Sequence, residues 1–292
     1  MTASTGWPAP AKLNLFLNIT GRRADGYHLL QTVFQFLDHG DRLDFEIDDG
    51  GAVRRVSSLA GVAAEDDLMV RAARLLQAET GTALGAAIRV DKRLPLGGGL
   101  CGGSSDAATT LVALNRLWGT GLDEDSLAAL GLRLGADVPM FVRGRAAWAE
   151  GVGERLEPIA LPEPWYVVLV PPVTVSTAEI FSAPELIRNR HPITIRDFLC
   201  GHGDNVCEAV VRRRYPVVDA AMSALDAALG EDRQRAGARL TGTGACVFAA
   251  WAEERDARAA WERLRGDWTG FVARGLNRSP LARRLAAEPG RD

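Results

Sequence analysis

Residues 94–106 read Leu94-Pro-Leu-Gly-Gly-Gly-Leu-Cys-Gly-Gly-Ser-Ser-Asp106, and this stretch decides the fold. Upstream, residues 87–90 read as a short strand. Downstream, Ala107, Ala108, Leu111, Leu114 and Leu117 recur at helical spacing, which predicts a helix over 107–118. The unit is strand, glycine loop, helix. Glycines at 97, 98, 99, 102 and 103 leave several backbone N–H groups with no side chain in front of them, and a helix start adds positive potential. The expectation is a phosphate cradle, with Ser104 or Ser105 as the N-cap and its hydroxyl near a phosphate or its magnesium.

Other glycine-loop readings fail on spacing. Gly97, Gly99 and Gly102 satisfy G-x-G-x-x-G, but the dinucleotide fold needs a second strand ending in an acidic residue about 20 positions on. Residues 115–123 read instead as a helix end and a turn. A Walker A loop needs lysine directly after glycine, and the two lysines, Lys12 and Lys92, follow alanine and aspartate. The protein-kinase signatures His-Arg-Asp and Asp-Phe-Gly are absent from the sequence. Every other basic residue is arginine, which marks the two lysines as places where a compact ammonium is needed and a planar fork does not fit.

Around this unit, residues 11–20 alternate as a half-buried strand that puts Lys12 and Asn14 on one face. A turn at Asp25-Gly26 leads to Tyr27-His28, an apolar run over 29–37 and a strand over 42–47. Helices are expected over 66–79, stopped by Gly81, and over 125–134, ending before Gly135-Ala-Asp-Val-Pro139. Residues 144–153 read as a turn and edge strand. Beyond 161 come a strand at 165–170, helices at 194–199 and 217–229, and a glycine loop at 241–245. A strand at 246–250, a helix at 253–265 and a strand at 270–273 follow. This predicts an α+β chain of two units, 1–160 and 161–292, with the boundary within 155–164.

A 292-residue chain with a net charge of −3 has no broad basic field for nucleic acid or an anionic membrane, so the expected partner is a small molecule. Residues 1–10 carry neither a basic nor an apolar leader, and the longest apolar stretch, 165–170, is far too short for a membrane span; a cytoplasmic protein is expected. Cysteines at 101, 200, 207 and 246 form no C-x-x-C pair and read as reduced thiols. The spacing of Cys200, His202 and Cys207 fits no standard zinc site.

Three motifs carry a family resemblance: Pro-Ala-Lys-Leu-Asn-Leu-Phe-Leu from Pro10, the phosphate-loop stretch, and Thr-Gly-Thr-Gly-Ala-Cys-Val-Phe from Thr241. Together they resemble the GHMP small-molecule kinases. Arg-Ala-Asp-Gly-Tyr-His-Leu-Leu-Gln-Thr-Val-Phe from Arg23 and Leu-Gly-Ala-Asp-Val-Pro-Met-Phe from Leu134 resemble, more narrowly, the branch that phosphorylates a cytidine diphosphate methylerythritol in non-mevalonate isoprenoid synthesis. The match runs from about Trp7 to Ala273.

The resemblance implies an N-terminal unit like ribosomal protein S5 domain 2 and a ferredoxin-like C-terminal unit, with ATP and the acceptor meeting between them and Mg²⁺ on the phosphates. It implies Lys12 and Asp137 as the catalytic pair. Asp137 would orient or deprotonate the acceptor hydroxyl, while Lys12 would stabilise phosphoryl charge and hold Asp137 ionised. For ATP it implies Pro95, Leu96, Gly97, Gly98, Gly99, Leu100, Cys101, Gly102, Gly103, Ser104 and Ser105, backed by Gly242 and Gly244. Lys92 is open to two readings, an adenine or phosphate contact and a solvated strand end. Tyr27 and Phe181 would sandwich the cytosine while His28 bonds its polar edge. Asn14, Thr177 and Asn205 complete the acceptor set.

Cys101 departs from the family, where glycine is usual. It is expected to strain the loop if the position needs positive φ and to make the loop sensitive to thiol reagents. Two alternatives stand beside this reading: a related kinase with a different alcohol or sugar acceptor, and a nucleotide-binding regulator without catalysis.

Overall fold

The computed structural model describes residues 2–24, 26–59, 61–230 and 237–287. Met1, Asp25 of the expected turn and positions 288–292 of the expected second unit lie outside these. The alternating segment at 11–20 is the middle of a longer strand, β1 (Thr2–Arg22), paired antiparallel along its length with β2 (His28–Asp48). The apolar run and the strand expected separately at 29–37 and 42–47 are thus one strand. Register shifts at Ser4/Trp7, Pro10/Lys12, Asn14/Leu17 and Ile19/Gly21 bend the pair, as bulges do. The centre of β1 is buried on both faces, so its alternation of polar and apolar residues does not divide core from solvent.

From β2 the chain runs through β3 (Val53–Arg55), α1 (Leu68–Thr80), β4 (Gly85–Asp91), α2 (Gly102–Leu117), α3 (Glu124–Leu132), α4 (Val138–Arg143), β5 (Ala147–Gly151) and β6 (Arg155–Pro158). Asp67 caps α1 by accepting from Met69 N, and Gly81 ends the helix at φ 68°. Strand β5 lies between β2 and β6, so the edge expected at 144–153 belongs to β6, which occupies the expected boundary. The helices cover the sheet around Trp7, Phe36, Phe45, Leu111 and Phe141.

The remainder comprises β7 (Trp165–Leu169), α5 (Thr177–Ser182), α6 (Ile195–Leu199), α7 (Glu208–Arg214), α8 (Pro216–Leu229), β8 (Arg239–Leu240), β9 (Val247–Trp251), α9 (Glu254–Leu264), β10 (Gly270–Leu276) and α10 (Pro280–Ala287). Its strands lie in the order β10-β7-β9-β8, all antiparallel. With helices between β7 and β8 and between β9 and β10, this is the split βαβ arrangement of ferredoxin-like units. A second core surrounds Val167, Leu169, Val211, Met222 and Leu225.

The two parts are not independent. Leu17 and Ile19 of β1 enter the second core, while Leu281 of α10 enters the first and Arg284 stacks over Trp7. The sheets join where Gly275 and Leu276 pair with Leu37 and Phe36. Gly275 has no room for a side chain: a Cβ there would lie 2.8 Å from Tyr166 Cε2 and 2.9 Å from Gln35 Oε1. Those neighbours are locked, since Tyr166 Oη donates to Gln35 Oε1 at 2.6 Å and Gln35 Nε2 donates to the Pro162 carbonyl at 2.8 Å.

Replacing Gly275 by alanine should therefore lower stability by about 1–3 kcal/mol, the usual range for overpacking a closed site. Calorimetry should show Tm several degrees lower; an unchanged Tm would mean the junction yields freely.

Candidate active site

Helix α2 starts at Gly102, with Cys101 in the N-cap position at φ 57° and ψ 35°. This corrects the expectation that Ser104 or Ser105 caps the helix. The Cys101 carbonyl already accepts from the Ser105 N–H at 3.0 Å, which places both serines within the first turn. Cys101 is the one non-glycine residue at positive φ among the described residues, a conformation that costs about 1–2 kcal/mol for an L-residue. The expected backbone strain is present.

The loop is pressed against the late glycine loop. A Cβ on Gly99, itself at φ 78°, would lie 2.2 Å from the Thr241 carbonyl oxygen. The Thr241 hydroxyl donates to the Gly99 carbonyl at 3.2 Å, and Cys246 N donates to the Gly98 carbonyl at 3.1 Å. Leu100 points down into a small core with Leu94 and Phe248. Gly97 and Gly103 are exposed, whereas Gly98 and Gly102 are buried.

Beside this junction lies a cavity of about 760 Å³. It is lined by Lys12, Asn14, Gly99, Cys101 and Asp137, and also by Tyr27, His28, Thr177, Phe181 and Gly242. Residues that the sequence places far apart are therefore brought to one space. Pro95, Leu96 and Gly98 line a separate depression of about 310 Å³ with Val173, Thr174 and Cys246. Gly244 is not among the cavity residues; it turns the late loop at φ 88° against Leu240 and Val211. Asn205 is not among them either. Its amide donates to the Leu240 and Gly242 carbonyls at 2.9 and 2.7 Å and accepts from Cys207 N at 2.9 Å. Asn205 thus holds the late loop from the second part of the chain.

Lys12 is 2% exposed. Its ammonium donates to Asn14 Oδ1 and, at 3.1 Å, to the Gly99 carbonyl, and it lies 5.4 Å from the centre of the Phe34 ring. The Asn14 amide nitrogen donates to Thr32 Oγ1 at 2.9 Å, so Asn14 braces Lys12. Among the described residues no ion pair joins Lys12 to Asp137. The carboxylate instead accepts from the Cys101 thiol, with Sγ 3.1 Å from Oδ2. Burial, and then the Asp137 charge, push that thiol up to about 12. The shift favours the protonated thiol near neutrality, the form less reactive towards alkylating reagents.

At the aromatic part of the cavity, the His28 ring stacks on Phe181 with centroids 5.1 Å apart and planes 20° apart. Tyr27 is 66% exposed. Thr177 begins α5 and shares a 2.9 Å hydrogen bond with Thr243 of the late loop. Burial, then the Arg188 and Arg22 charges, hold the His28 imidazole below its ordinary range. Arg188 Nε donates to His28 Nε2 at 3.2 Å.

Lys92 is neither a solvated strand end nor unpartnered. Its ammonium bonds Asp41 Oδ2 and, at 2.8 Å, Asp106 Oδ2. Asp41 also accepts from Arg93 N and Leu94 N at 2.6 and 2.8 Å, which fixes the entry to the glycine loop. Burial depresses the Lys92 ammonium, but the two carboxylates raise it overall. Burial pushes Asp106 up, with Lys92 opposing and Asp41 reinforcing.

The sequence reading did not single out Thr32, Asp41, Asp106, Thr243 or Arg188. Asp106 and Thr243 stand inside quoted motifs and could have been found there. Asp41 and Arg188 lie in segments with no motif or periodicity to mark them.

Residues 67–145 match the profile of the GHMP kinases N terminal domain and residues 183–269 that of the GHMP kinases C terminal domain. A 4-diphosphocytidyl-2-C-methyl-D-erythritol kinase of Methylococcus capsulatus is 61% identical, over 94% of this chain and 92% of its own length. The kinase of the same name from Halorhodospira halophila is 58% identical, over 98% of each chain. A crystal structure of a 4-(cytidine 5'-diphospho)-2C-methyl-D-erythritol kinase superposes with a TM-score of 0.79 at 33% identity, covering 94% of this chain and 99% of its own. Homoserine kinase from Cytophaga hutchinsonii, at 15% identity and a TM-score of 0.65 over 96% of each chain, shares the fold.

Alkylation separates the thiols. At pH 7 iodoacetamide should label the exposed Cys200 first and leave Cys101 unmodified while the protein is folded. Peptide mass spectrometry showing Cys101 labelled as fast as Cys200 would contradict a protonated thiol held by Asp137.

Proposed function

The chain belongs to the 4-diphosphocytidyl-2-C-methyl-D-erythritol kinases of the GHMP kinase family, and from that membership we propose how its site carries out the reaction. The protein phosphorylates 4-diphosphocytidyl-2-C-methyl-D-erythritol with ATP at the 2-hydroxyl, giving the 2-phosphate and ADP. The observation that carries the reading of the site is that one cavity holds both Lys12 with Asp137 and the His28–Phe181 stack, directly against the glycine loop.

In this reading the ATP phosphates lie on the N–H groups of residues 97–103 at the N-terminus of α2, where the helix dipole favours negative charge. Gly98, Gly99 and Gly102 are needed because a side chain there would meet Cys246, the Thr241 carbonyl or Lys92. The late loop with Gly242 backs the cradle, and Pro95 and Leu96 face the adenosine. Lys92 acts from below: tied to Asp41 and Asp106, it fixes both ends of the glycine loop.

Asp137 orients the acceptor hydroxyl and takes its proton as the new P–O bond forms. Its carboxylate is aimed by the Cys101 thiol, and positioning is the larger part of its contribution, since a carboxylate is a weak base towards an alcohol. Lys12 meets the charge that develops on the transferring phosphoryl oxygens. The cytosine stacks against the aromatic side chains of Tyr27 and Phe181 and bonds His28, while Asn14 and Thr177 face the methylerythritol part.

Magnesium fits the first turn of α2. There the Ser105 hydroxyl and Asp106 Oδ1 are buried without a hydrogen-bond partner among the described residues, and hard oxygen donors suit this cation. The ion would be shared between one or two protein oxygens and the substrate phosphates, as is usual for this cation. Ser104, Ser105 and Asp106 would hold it. When bound, it neutralises phosphate charge. The division into a unit over 1–160 with the phosphate loop and a unit over 161–292 belongs to the same proposal. So does a cytoplasmic location; no helix among the described residues is long and apolar enough to cross a membrane.

ADP release in a coupled assay with ATP and Mg²⁺ tests the reading. Turnover is expected with 4-diphosphocytidyl-2-C-methyl-D-erythritol and not with mevalonate, homoserine or galactose; turnover with one of the latter alone would displace the acceptor. Exchanging Asp137 for asparagine should leave ATP binding intact and cut kcat by about a hundredfold or more. Near-normal turnover would remove Asp137 from the chemistry.

A further inference from the structure

Arg188 follows α5, 160 positions from His28 in sequence, and every nitrogen of its guanidinium is committed. Nε donates to His28 Nε2 at 3.2 Å, Nη1 to the Leu186 carbonyl at 3.0 Å, and Nη2 to the Phe181 and Ala183 carbonyls at 2.9 and 2.6 Å. The backbone that carries Phe181 therefore holds the guanidinium, and the guanidinium holds His28. The stack of His28 on Phe181 keeps the imidazole from turning about its last torsion.

A guanidinium only donates, so the ring nitrogen it meets must present a lone pair. An imidazole with its lone pair at Nε2 carries its proton on Nδ1; an imidazolium would set N–H against N–H. Arg22, which lines the same cavity, adds a second positive charge near the ring and donates from Nε to the Gly26 carbonyl at 3.1 Å. Every charged neighbour named here disfavours a protonated ring.

We propose that Arg188 is a positioning residue that locks His28 in the Nδ1–H tautomer, so that the cavity offers the base a hydrogen-bond donor of fixed direction and selects cytosine over uracil. The selection rests on the reading of this cavity as the cytidylyl site. Cytosine presents an unprotonated N3, which accepts from Nδ1–H, whereas uracil presents N3–H and would leave two donors facing each other. The O2 carbonyl is common to both bases and cannot discriminate. An unmatched buried donor is costly, so one fixed N–H separates the two bases where stacking does not.

The tautomer is read on the unmodified protein by ¹⁵N NMR of the histidine rings, with His28 assigned by the loss of its signals in a His28→Gln variant. A neutral ring with the proton on Nδ1 at pH 7.5 is expected; a proton on Nε2, or a cationic ring, overturns the lock. The companion experiment measures kcat/KM for the cytidylyl acceptor and its uridylyl analogue in Arg188→Met and Arg188→Lys. The cytosine-to-uracil ratio should fall by about tenfold or more, with mixed tautomers and a KM for ATP within about twofold of wild type. Arg188→Lys keeps the charge but not the forked geometry, and it serves if the methionine variant fails to fold. An unchanged ratio in variants whose tautomer has changed overturns the base selection. If the wild-type protein turns over neither acceptor, the cytidylyl reading fails and the base selection with it, while the NMR result still judges the lock.

Discussion

A buried ammonium that forms no ion pair among the described residues is the constraint around which this molecule is arranged. Taking an ion out of water costs several kcal/mol unless polar groups replace the lost hydration. Around Lys12 those groups are the Asn14 amide oxygen, the Gly99 carbonyl and the face of Phe34, contributed by β1, the glycine loop and β2. None of them is an anion. In the proposed reaction this charge is the one offered to the transferring phosphoryl group. Asp137 lines the same cavity, and its hydrogen bond goes to the Cys101 thiol.

The second lysine is held in the opposite way. Lys92 is enclosed by Asp41 and Asp106, and its charge is spent on structure. A Cβ at Gly102 would lie 3.0 Å from its Nζ, so the start of α2 rests directly on the ammonium. A guanidinium would be too broad for that space. The scarcity of lysine in an arginine-rich chain thus has one physical explanation at both positions: a compact cation beneath closely packed backbone.

The glycine loop depends on the whole tertiary structure for its shape. Its contact with the late loop at Gly99 and Thr241 exists because β1 packs into both cores and β10 joins the two sheets beside β2. Helix α10 returns to the first core, so the last part of the chain closes over the element that carries Lys12. The strained conformation of Cys101 is tolerated within this frame, and its side chain gains a contact with Asp137 that glycine could not make.

Local pattern determined much of this by itself. Strand, glycine loop and helix were legible because glycine and helical periodicity are short-range signals, and the motif around Lys12 put it on one face with Asn14 because strand side chains alternate. The helix cap was misread at Ser104 and Ser105, because a left-handed Cys101 starts the helix earlier and only the surrounding packing makes that conformation tolerable. That Asn205 holds the late loop was not legible, because its motif does not reveal where its amide points. Two partners, Asp41 of Lys92 and Arg188 of His28, were not legible at all. Asp41 lies 51 residues from Lys92 and Arg188 lies 160 from His28, and neither belongs to a periodic pattern. Hydrogen bonds and ion pairs act over a few ångströms in space without regard to sequence distance, so such pairings are decided only when the sheets close and bring those side chains together.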